Sequence, residues 1–407
     1  MKYLQTQTSE YDEEFEGFDI NVDDDENMEV IENRDYFFYP ENWSEGRKDP
    51  LIEHVQFCEN AGIKVQVANN ASISDYFNIF VDSEDFEDMA TETNRYAEQY
   101  FQKNPNLSRC SRFRMWVSTT AAEMKRYLAL IFAMGLVSQS DINEYWSTDP
   151  VTSTPFFPAT MSGDRFLLIT SFFHLVNNDS YIPRGQPGHD PLFKLGSVYE
   201  CIVDRFFSSY TPHQYILDEG MIPWRGHLSF RVYSPDKPVK YGIRAYMLSD
   251  STNGYVSKFK PYTGKSATGP SMNGATYDLV MNLMRGLFEK SYNLYCDNYY
   301  TSPQLFWDLF QLGVNATGTV RSNRCGIPQE IKTKSPTNRG DLAIMNNGPI
   351  ECIKFLDGKP VYMLSTVHGS DMSATHRRDK DTNVIIMKPC MVVTTTSIWA
   401  GLTDQIK

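Results

Sequence analysis

The chain has 407 residues, of which 41% are hydrophobic, so it is long enough for two or three domains with apolar cores. Its formal net charge of -13 is unevenly distributed. Residues 1–35 hold 13 acidic side chains and only Lys2 and Arg34 as bases, which leaves 38 acids and 36 bases in the remainder. The average charge therefore does not exclude an anionic partner. We predict that residues 1–35 are a disordered acidic tail; a self-competing mimic of nucleic acid is the alternative.

The seven cysteines include no Cys-x-x-Cys pair, so the sequence indicates neither a zinc ribbon nor a disulfide framework, and we expect no zinc. The first residues lack the apolar segment of a secretory signal, and no apolar run reaches the length of a membrane helix. These patterns favour an intracellular protein with reduced thiols and no membrane partner.

Residues 36–210 form a mostly helical N-terminal region, because apolar side chains recur there at helical spacing. The run Ser118-Thr119-Thr120 supplies an N-cap for the second of the predicted helices. We predict four helices in this region, over Ile79–Gln102, Ala121–Met134, Ser162–Leu175 and Phe193–Tyr210.

The pattern changes after Pro212, where short alternating or apolar runs predict strands. The predicted order is three antiparallel strands (Tyr215–Asp218, Lys240–Ser249, Tyr255–Tyr262), a helix (Thr276–Glu289), a strand (Asn293–Cys296), a helix (Pro303–Leu312) and a strand (Val314–Val320). This is the order of a ribonuclease H-like α/β core, which we assign to residues 211–324.

The segment after Arg324 contains three more short strands, near Leu342–Met345, Ile350–Phe355 and Pro360–Ser365. We interpret residues 325–390 as a separate β-rich insertion domain. Residues 391–407 then form a divergent end.

Two aspartates stand where predicted strands end. Asp218 closes the first strand after residue 212, and Asp297 directly follows the strand Asn293–Cys296. Carboxylates at the carboxyl edge of an α/β sheet can bind hard cations such as Mg2+, and two ions about 4 Å apart support phosphoryl transfer on DNA. Taken singly, each aspartate also fits a turn or a helix cap. Glu219 is a rival to Asp218 as the ligand.

Basic residues lie among aromatic ones after Asp218, and such a surface can neutralise the phosphates of double-stranded DNA. A solvated strand face is an equally good interpretation. The run Thr375–Lys380 is more typical of a charged loop than of a nuclear localisation motif. The candidate DNA-binding residues are Arg225, Lys237, Lys240, Arg244, Arg321 and Arg324.

Four segments resemble the piggyBac transposase family: Asp218–Gly226, Lys237–Arg244, Tyr295–Ser302 and Lys359–His368. The resemblance implies a DDD transposase, in which an aspartate triad on a ribonuclease H-like core binds two Mg2+ (or Mn2+) ions. It also implies cleavage and transfer of DNA strands at TTAA sites in the nucleus. It assigns Asp218 and Asp297 as catalytic, metal-binding residues and residues 36–210 as a region for DNA binding and dimerisation. Whether this chain forms a homodimer stays open.

The third aspartate that the family resemblance implies is missing from its expected position. When the chain is aligned with the family without gaps from Met391 onward, the family's Gly-Val-Asp run falls on Gly401-Leu402-Thr403. Asp404, one residue or about 100° of helix further, is the remaining candidate for the third catalytic residue. The family's cysteine-rich zinc-binding end is also absent, so we expect a C-terminal truncation that impairs catalysis. The alternatives are a domesticated, non-catalytic nuclear DNA-binding or interaction protein and an unrelated Mg2+ nuclease.

The acidic tail leads to a test that does not depend on function. Amides of residues 1–35 should exchange with solvent as fast as those of an unfolded peptide, because the segment has few apolar side chains to bury. Amides of the predicted strand Asn293–Cys296 should be protected. Hydrogen exchange followed by mass spectrometry compares the two segments, and protection of the tail would contradict the prediction.

Overall fold

The computed structural model describes residues 38–48, 57, 59–235, 237–264, 272–334, 338–378 and 383–406, without the side chains of His376 and of residues 401–406. The predicted acidic tail at residues 1–35 lies outside them. The described residues divide into two compact units, one from Val67 to Arg205 and one that combines those between 38 and 66 with those from Phe206 onward. In the described part of the chain, no helix is long and apolar enough to cross a bilayer.

The first unit is helical, as predicted. Its helices begin where the sequence supplies caps: the side chains of Asp82, Thr120 and Ser162 each accept a hydrogen bond from an amide of the first helical turn. The helices are α1 (Ile73–Asn78), α2 (Ser83–Lys103), α3 (Ala121–Leu136), α4 (Phe156–Thr160), α5 (Gly163–Phe172) and α6 (Gly196–Ser209), the last of which continues into the second unit. Helices α1 and α4 are additional to the prediction.

Aromatic packing and two charged contacts hold the first unit together. Arg165 on α5 binds Glu123 on α3 in a bidentate pair, with Nε–Oε1 at 2.8 Å and Nη2–Oε2 at 2.6 Å. Arg205 binds Asp82 and Asp85 at the start of α2. The buried core between the helices consists mainly of Phe86, Met124, Tyr127, Leu130, Phe157, Phe166 and Ile169.

The second unit contains the sheet. Its helices are α7 (Ala275–Met284), α8 (Pro303–Gln311), α9 (Gln329–Thr333) and α10 (Cys390–Ile406). Its strands are β1 (Ser44–Glu45), β2 (Gly62–Ile63), β3 (Tyr210–Thr211), β4 (Tyr215–Pro223), β5 (Val232–Tyr233), β6 (Tyr241–Asp250), β7 (Val256–Pro261), β8 (Asn293–Cys296), β9 (Asn315–Thr319), β10 (Leu342–Asn347), β11 (Ile350–Leu356), β12 (Pro360–Ser365), β13 (Met372–Arg378) and β14 (Ile385–Pro389).

One mixed sheet dominates this unit. Among the described residues it has ten strands, in the order β1-β10-β11-β12-β9-β8-β4-β6-β5, with β7 also paired to β6. Strand β4 runs antiparallel to β6 and parallel to β8, and β8 runs parallel to β9. The short strand β1 lies at one edge, where Ser44 and Glu45 pair with β10. The predicted α/β class is confirmed.

The strands of the expected insertion extend this sheet, which corrects the interpretation of residues 325–390 as a separate domain. Strand β12 pairs antiparallel with β9, and β11 and β10 follow it. The physical reason is burial: β11 is buried along nearly its whole length, so it needs a strand on each side and cover on both faces. The other domain limits stay predictions.

The segment predicted as a charged loop at Thr375–Lys380 also differs. Residues up to Arg378 belong to β13, which pairs with β14 in a two-stranded sheet of its own. The missed strand carries polar and basic side chains, which hide the period-two apolar pattern on which a sequence prediction relies.

Helices cover both faces of the large sheet. Helices α7 and α8 pack on the face that includes Leu217, Leu294 and Leu364. Helix α10 packs on the opposite face: its first turn contacts β11 and β12, and its middle, at Ile398 and Trp399, contacts β4 and β8. The sheet is therefore the middle of three layers.

The packing of α10 on the sheet gives a stability prediction. Replacing Ile353, which is fully buried beneath the start of α10, with alanine should lower the free energy of unfolding by about 2–4 kcal/mol, because a cavity remains. The matched control Ile385→Ala removes the same atoms at a position that is 42% exposed, and should cost less than about 1 kcal/mol. Urea unfolding measures both; equal losses would contradict the layered packing.

Candidate active site

Asp218 and Asp297 lie side by side on neighbouring parallel strands. In the register of β4 and β8, Leu217 is opposite Cys296, so Asp218 on β4 lies beside Asp297, the first residue after β8. The prediction that Asp218 ends its strand is wrong, because pairing with β6 continues β4 to Pro223. Neighbouring strands are about 4.8 Å apart. Side chains alternate along a strand, so Asp218 shares the face of Ile216 and Asp297 shares that of Tyr295. Both therefore lie on the face of the sheet that α10 covers.

The loop after β8 is held by its own hydrogen bonds. The Oδ1 atom of Asp297 accepts from the amide of Tyr299 at 2.9 Å, and the carbonyl of Asp297 accepts from the amide and hydroxyl of Thr301. Ser302 then caps α8. Gly318 on β9 is needed beside this loop, since a Cβ atom there would lie 2.3 Å from the Thr301 hydroxyl and 2.6 Å from the Cys296 carbonyl. Asp297 is thus fixed between a strand and a helix.

The electrostatics of this pair favour a bound cation. Burial raises the pKa of Asp297 above its ordinary value, and the neighbouring Asp218 carboxylate raises it further, against the opposing effects of the Tyr299 amide and Arg321. Two partly buried carboxylates with this repulsion provide the oxygen ligands that a divalent cation such as Mg2+ prefers. The donor set fits such an ion but is small: among the described residues, no group of three or more His, Cys, Asp or Glu side chains has metal-binding geometry.

Glu219, the rival ligand, lies on the opposite face of the sheet. Its Oε1 atom accepts a hydrogen bond of 2.8 Å from the hydroxyl of Tyr300, a buried residue of the core beneath α7 and α8. Lys237 donates to the Glu219 carbonyl at 3.2 Å and lies 3.9 Å from its carboxylate. Burial raises the pKa of Glu219. Of the two acidic neighbours, Asp218 is the one that shares the face of Asp297.

Two of the predicted DNA-binding residues contact the loop after Asp297. Arg324 donates to the carbonyls of Asn298 and Tyr299, each at 2.8 Å, so it braces the loop. The exposed Arg321 places its Nε atom 3.4 Å from the Asn298 side chain, and its charge lowers the pKa of Asp297. Arg321 is therefore the basic side chain that acts directly on the aspartate pair.

The other predicted basic residues lie away from the pair. Lys237 is engaged by Glu219, as described above. Arg225 and Lys240 are exposed beyond the ends of β4 and β6. Arg244 is half-buried opposite Met221, on the face away from Asp218. The structure thus does not gather all six basic residues into one surface.

A tyrosine–histidine pair beside the aspartates was missed by the sequence analysis. The hydroxyl of Tyr295 is 2.9 Å from Nε2 of His368, and Tyr295 packs against Ile398 and Trp399 of α10. The alternation of β8 could have placed Tyr295 on the face of Asp297. No spacing in the sequence links it to His368, which follows a strand that the prediction assigned to another domain.

The third candidate, Asp404, lies in α10, but its side chain is outside the described residues, as is that of Thr403. Its role therefore stays a prediction. What the structure adds is the position of the helix: α10 packs on the face that carries Asp218 and Asp297.

Comparison with known proteins identifies the family. The family described as Transposase IS4 matches residues 72–394. The chain belongs to this family. It is similar to human PiggyBac transposable element-derived protein 2, with 26% identity over 332 residues, which is 78% of this chain and 52% of that protein. Human PiggyBac transposable element-derived protein 3 is 26% identical over 314 residues, or 74% of this chain and 51% of that protein.

A solved structure has a similar fold. A cryo-EM structure of a piggyBac transposase synaptic complex with hairpin DNA superposes with a TM-score of 0.70 at 23% identity, over 86% of this chain and 70% of that chain. The family match and the human relatives confirm the resemblance to the piggyBac family. The chain spans about half the length of the human relatives it matches.

The raised pKa of Asp297 predicts how stability changes with pH. The ionised carboxylate destabilises the fold above that pKa, and this cost is lost as pH falls towards the ordinary value of 3.8. Asp297→Asn should therefore be more stable than the wild type at neutral pH, by a margin that shrinks on acidification. Thermal unfolding of both proteins, from neutral pH down to the ordinary pKa of 3.8, measures this difference in stability.

Glu123 provides a control, because its pKa is shifted in the opposite direction to that of Asp297. Its hydrogen bonds from Arg165 lower its pKa below 4.5, so its ionised form stabilises the fold above that value and the benefit is lost as pH falls through the lowered pKa. Glu123→Gln should be less stable than the wild type at neutral pH. A stability loss in Asp297→Asn as well would show that the aspartate pair is not repulsive.

Proposed function

We propose that this chain is a DNA-binding protein of the piggyBac transposase type, in which Asp218 and Asp297 bind a divalent metal ion on a ribonuclease H-like core and strand cleavage is impaired at the third ligand. The observation that supports it most is the parallel pairing of β4 with β8, which sets the two carboxylates side by side. Family membership raises the expectation that the pair serves DNA chemistry, although fold alone does not establish function.

The ribonuclease H-like assignment is supported by strand order and direction. Strands β7, β6 and β4 are consecutive and antiparallel, whereas β8 and β9 run parallel to β4. Helix α7 connects β7 to β8, and α8 connects β8 to β9. This arrangement has the order expected from the sequence, with Asp297 directly after β8 and Asp218 beside it within β4.

The chemistry follows from what surrounds the pair. A Mg2+ or Mn2+ ion bound there would supply the Lewis acidity that activates a water or a 3′ hydroxyl towards a phosphodiester, and full activity would require two ions. Asp218 and Asp297 would hold it from two rigid strands. Arg321 and Arg324 both contact Asn298, so they brace the loop after Asp297. Their positive charge is available to a DNA phosphate.

The partner is double-stranded DNA, and the target sequence that the family resemblance suggests is TTAA. Human relatives are described as piggyBac transposable element-derived, and the similar structure is a transposase complex with hairpin DNA. A nuclear location and a homodimer belong to the same proposal. Both are inferred from family membership, and no contact within the described residues is used to support them.

Impairment is proposed because the third position carries threonine. The buried face of α10 includes Met391, Val392 and Thr395. On an ideal helix, position 403 lies about 80° and position 404 about 180° from position 395. A threonine hydroxyl adds no negative charge to offset the repulsion between two cations. This same substitution favours the second candidate function, a non-catalytic DNA-binding protein.

Metal binding tests the proposed pair without requiring catalysis. Mn2+ should raise the melting temperature of the wild type modestly, because binding to the folded state alone stabilises it. Asp218→Asn and Asp297→Asn should each abolish the effect. The matched control Asp308→Asn should keep it, since Asp308 is held by Tyr277 and Gln304 on the other face. An unchanged response in both site variants would remove the metal site.

Activity is decided by excision of a transposon flanked by TTAA from a plasmid donor. We expect no excision by the wild type, because the third carboxylate is missing. Thr403→Asp should tighten Mn2+ binding by about tenfold, because it adds a carboxylate ligand. Robust Mg2+-dependent excision that disappears in Asp404→Ala would show that Asp404 is the third ligand and that catalysis is intact.

A further inference from the structure

An exposed group of aromatic side chains lies beyond the far end of β4, outside the aspartate pair. Trp224, Tyr233 and Tyr241 expose 42%, 40% and 52% of their surfaces. Tyr233 is opposite Tyr241 in the β5–β6 ladder, and the amide of Trp224 donates to the Tyr241 carbonyl at 3.4 Å. We call these three residues the aromatic strip. Large aromatic side chains at this exposure, grouped on one surface, are typical of a binding site.

The strip is built as a row of flat groups. The rings of Tyr233 and Tyr241 have centroids 4.7 Å apart at an angle of 36°, and the guanidinium of Arg231 lies over the Tyr241 ring at 5.8 Å. Arg231 in turn donates to the carbonyls of Arg225 and Gly226. A Cβ atom at Gly226 would lie 3.0 Å from Nε1 of Trp224, so this glycine lets the indole lie against the loop backbone. Tyr233, Tyr241 and Arg231 are therefore in contact with one another before any ligand binds.

The strip shares a sheet face with the aspartate pair. Across β4 and β6, Asp218 is opposite Met247 and Ile222 is opposite Ile243, so alternation puts Tyr241 on the face of Asp218. The strand between Asp218 and Trp224 is about 20 Å long, which corresponds to about six stacked nucleotides. The guanidinium of Arg231, which lies over the Tyr241 ring, supplies positive charge beside the strip. A DNA strand that reaches the aspartate pair can thus extend to the strip.

We infer that the aromatic strip binds unpaired nucleobases of a DNA strand by stacking. This rests on the proposed function for its DNA partner and adds the form of DNA that the surface takes. Stacking fits because flat rings match every base face, whereas a duplex hides those faces and offers mainly phosphates. The guanidinium of Arg231 next to the Tyr241 ring offers positive charge to the backbone of the same strand.

The test compares single-stranded and duplex DNA on the full chain. Fluorescence anisotropy is measured with a labelled oligothymidine and with a blunt duplex of equal length, at one fixed salt concentration. Trp224→Leu and Tyr241→Leu should each weaken single-strand binding by about tenfold, because one stacking partner is lost, and should change duplex binding by less than about twofold. Tyr241→Phe keeps the ring and should bind like the wild type. Circular dichroism confirms that each variant is folded.

The matched control is Tyr39→Leu, which removes an exposed aromatic ring, 49% accessible, elsewhere in the same unit. It should leave both affinities unchanged. Equal losses for single strand and duplex in the strip variants, or no loss in either, would overturn the stacking inference while leaving DNA as the partner. A wild type that binds neither DNA would overturn the proposed function, and the strip inference with it.

Discussion

The parallel pairing of β4 with β8 is the constraint on which the site depends. Strand β8 is only four residues long and three of them are buried, so its register is set by packing on both faces. A slip of one residue would move Asp297 to the face of Glu219 and bury the Tyr295 ring among α7 and α8. The fully buried Leu294 and Cys296 on one face and Tyr295 on the other prevent this. The position of a polar residue is thus enforced by apolar ones.

Charge is distributed so that each acidic residue near the pair has a different environment. Asp218 and Asp297 repel one another on the α10 face, whereas Glu219 is satisfied by Tyr300 and Lys237 on the other. One strand therefore presents a cation site and a structural anchor at adjacent positions. Such local repulsion is typical of sites in which stability is given up for binding, since a ligand of opposite charge relieves it.

Much of the sheet could be predicted from the sequence. Strands such as Asn293–Cys296 are short apolar runs ended by a polar residue, and they match the structure closely because burial on both faces leaves them no alternative. The adjacency of Asp218 and Asp297 followed from strand order. The place of β10–β12 did not, because pairing between β9 and β12 joins segments far apart in sequence and no local pattern encodes it. The Tyr295–His368 contact escaped for the same reason.

The edge strand β1 has a practical consequence. The segment before it buries Phe38, and Trp43 donates from its indole to the Gly326 carbonyl at 2.9 Å, so these few residues are fastened to the far end of the sheet. The family match begins only at residue 72. A fragment cut to that boundary would lose β1 and expose the edge of β10 at Met345 and Asn346. An open edge of this kind recruits strands from other molecules, so the trimmed protein would tend to precipitate even though every residue of the matched region is intact.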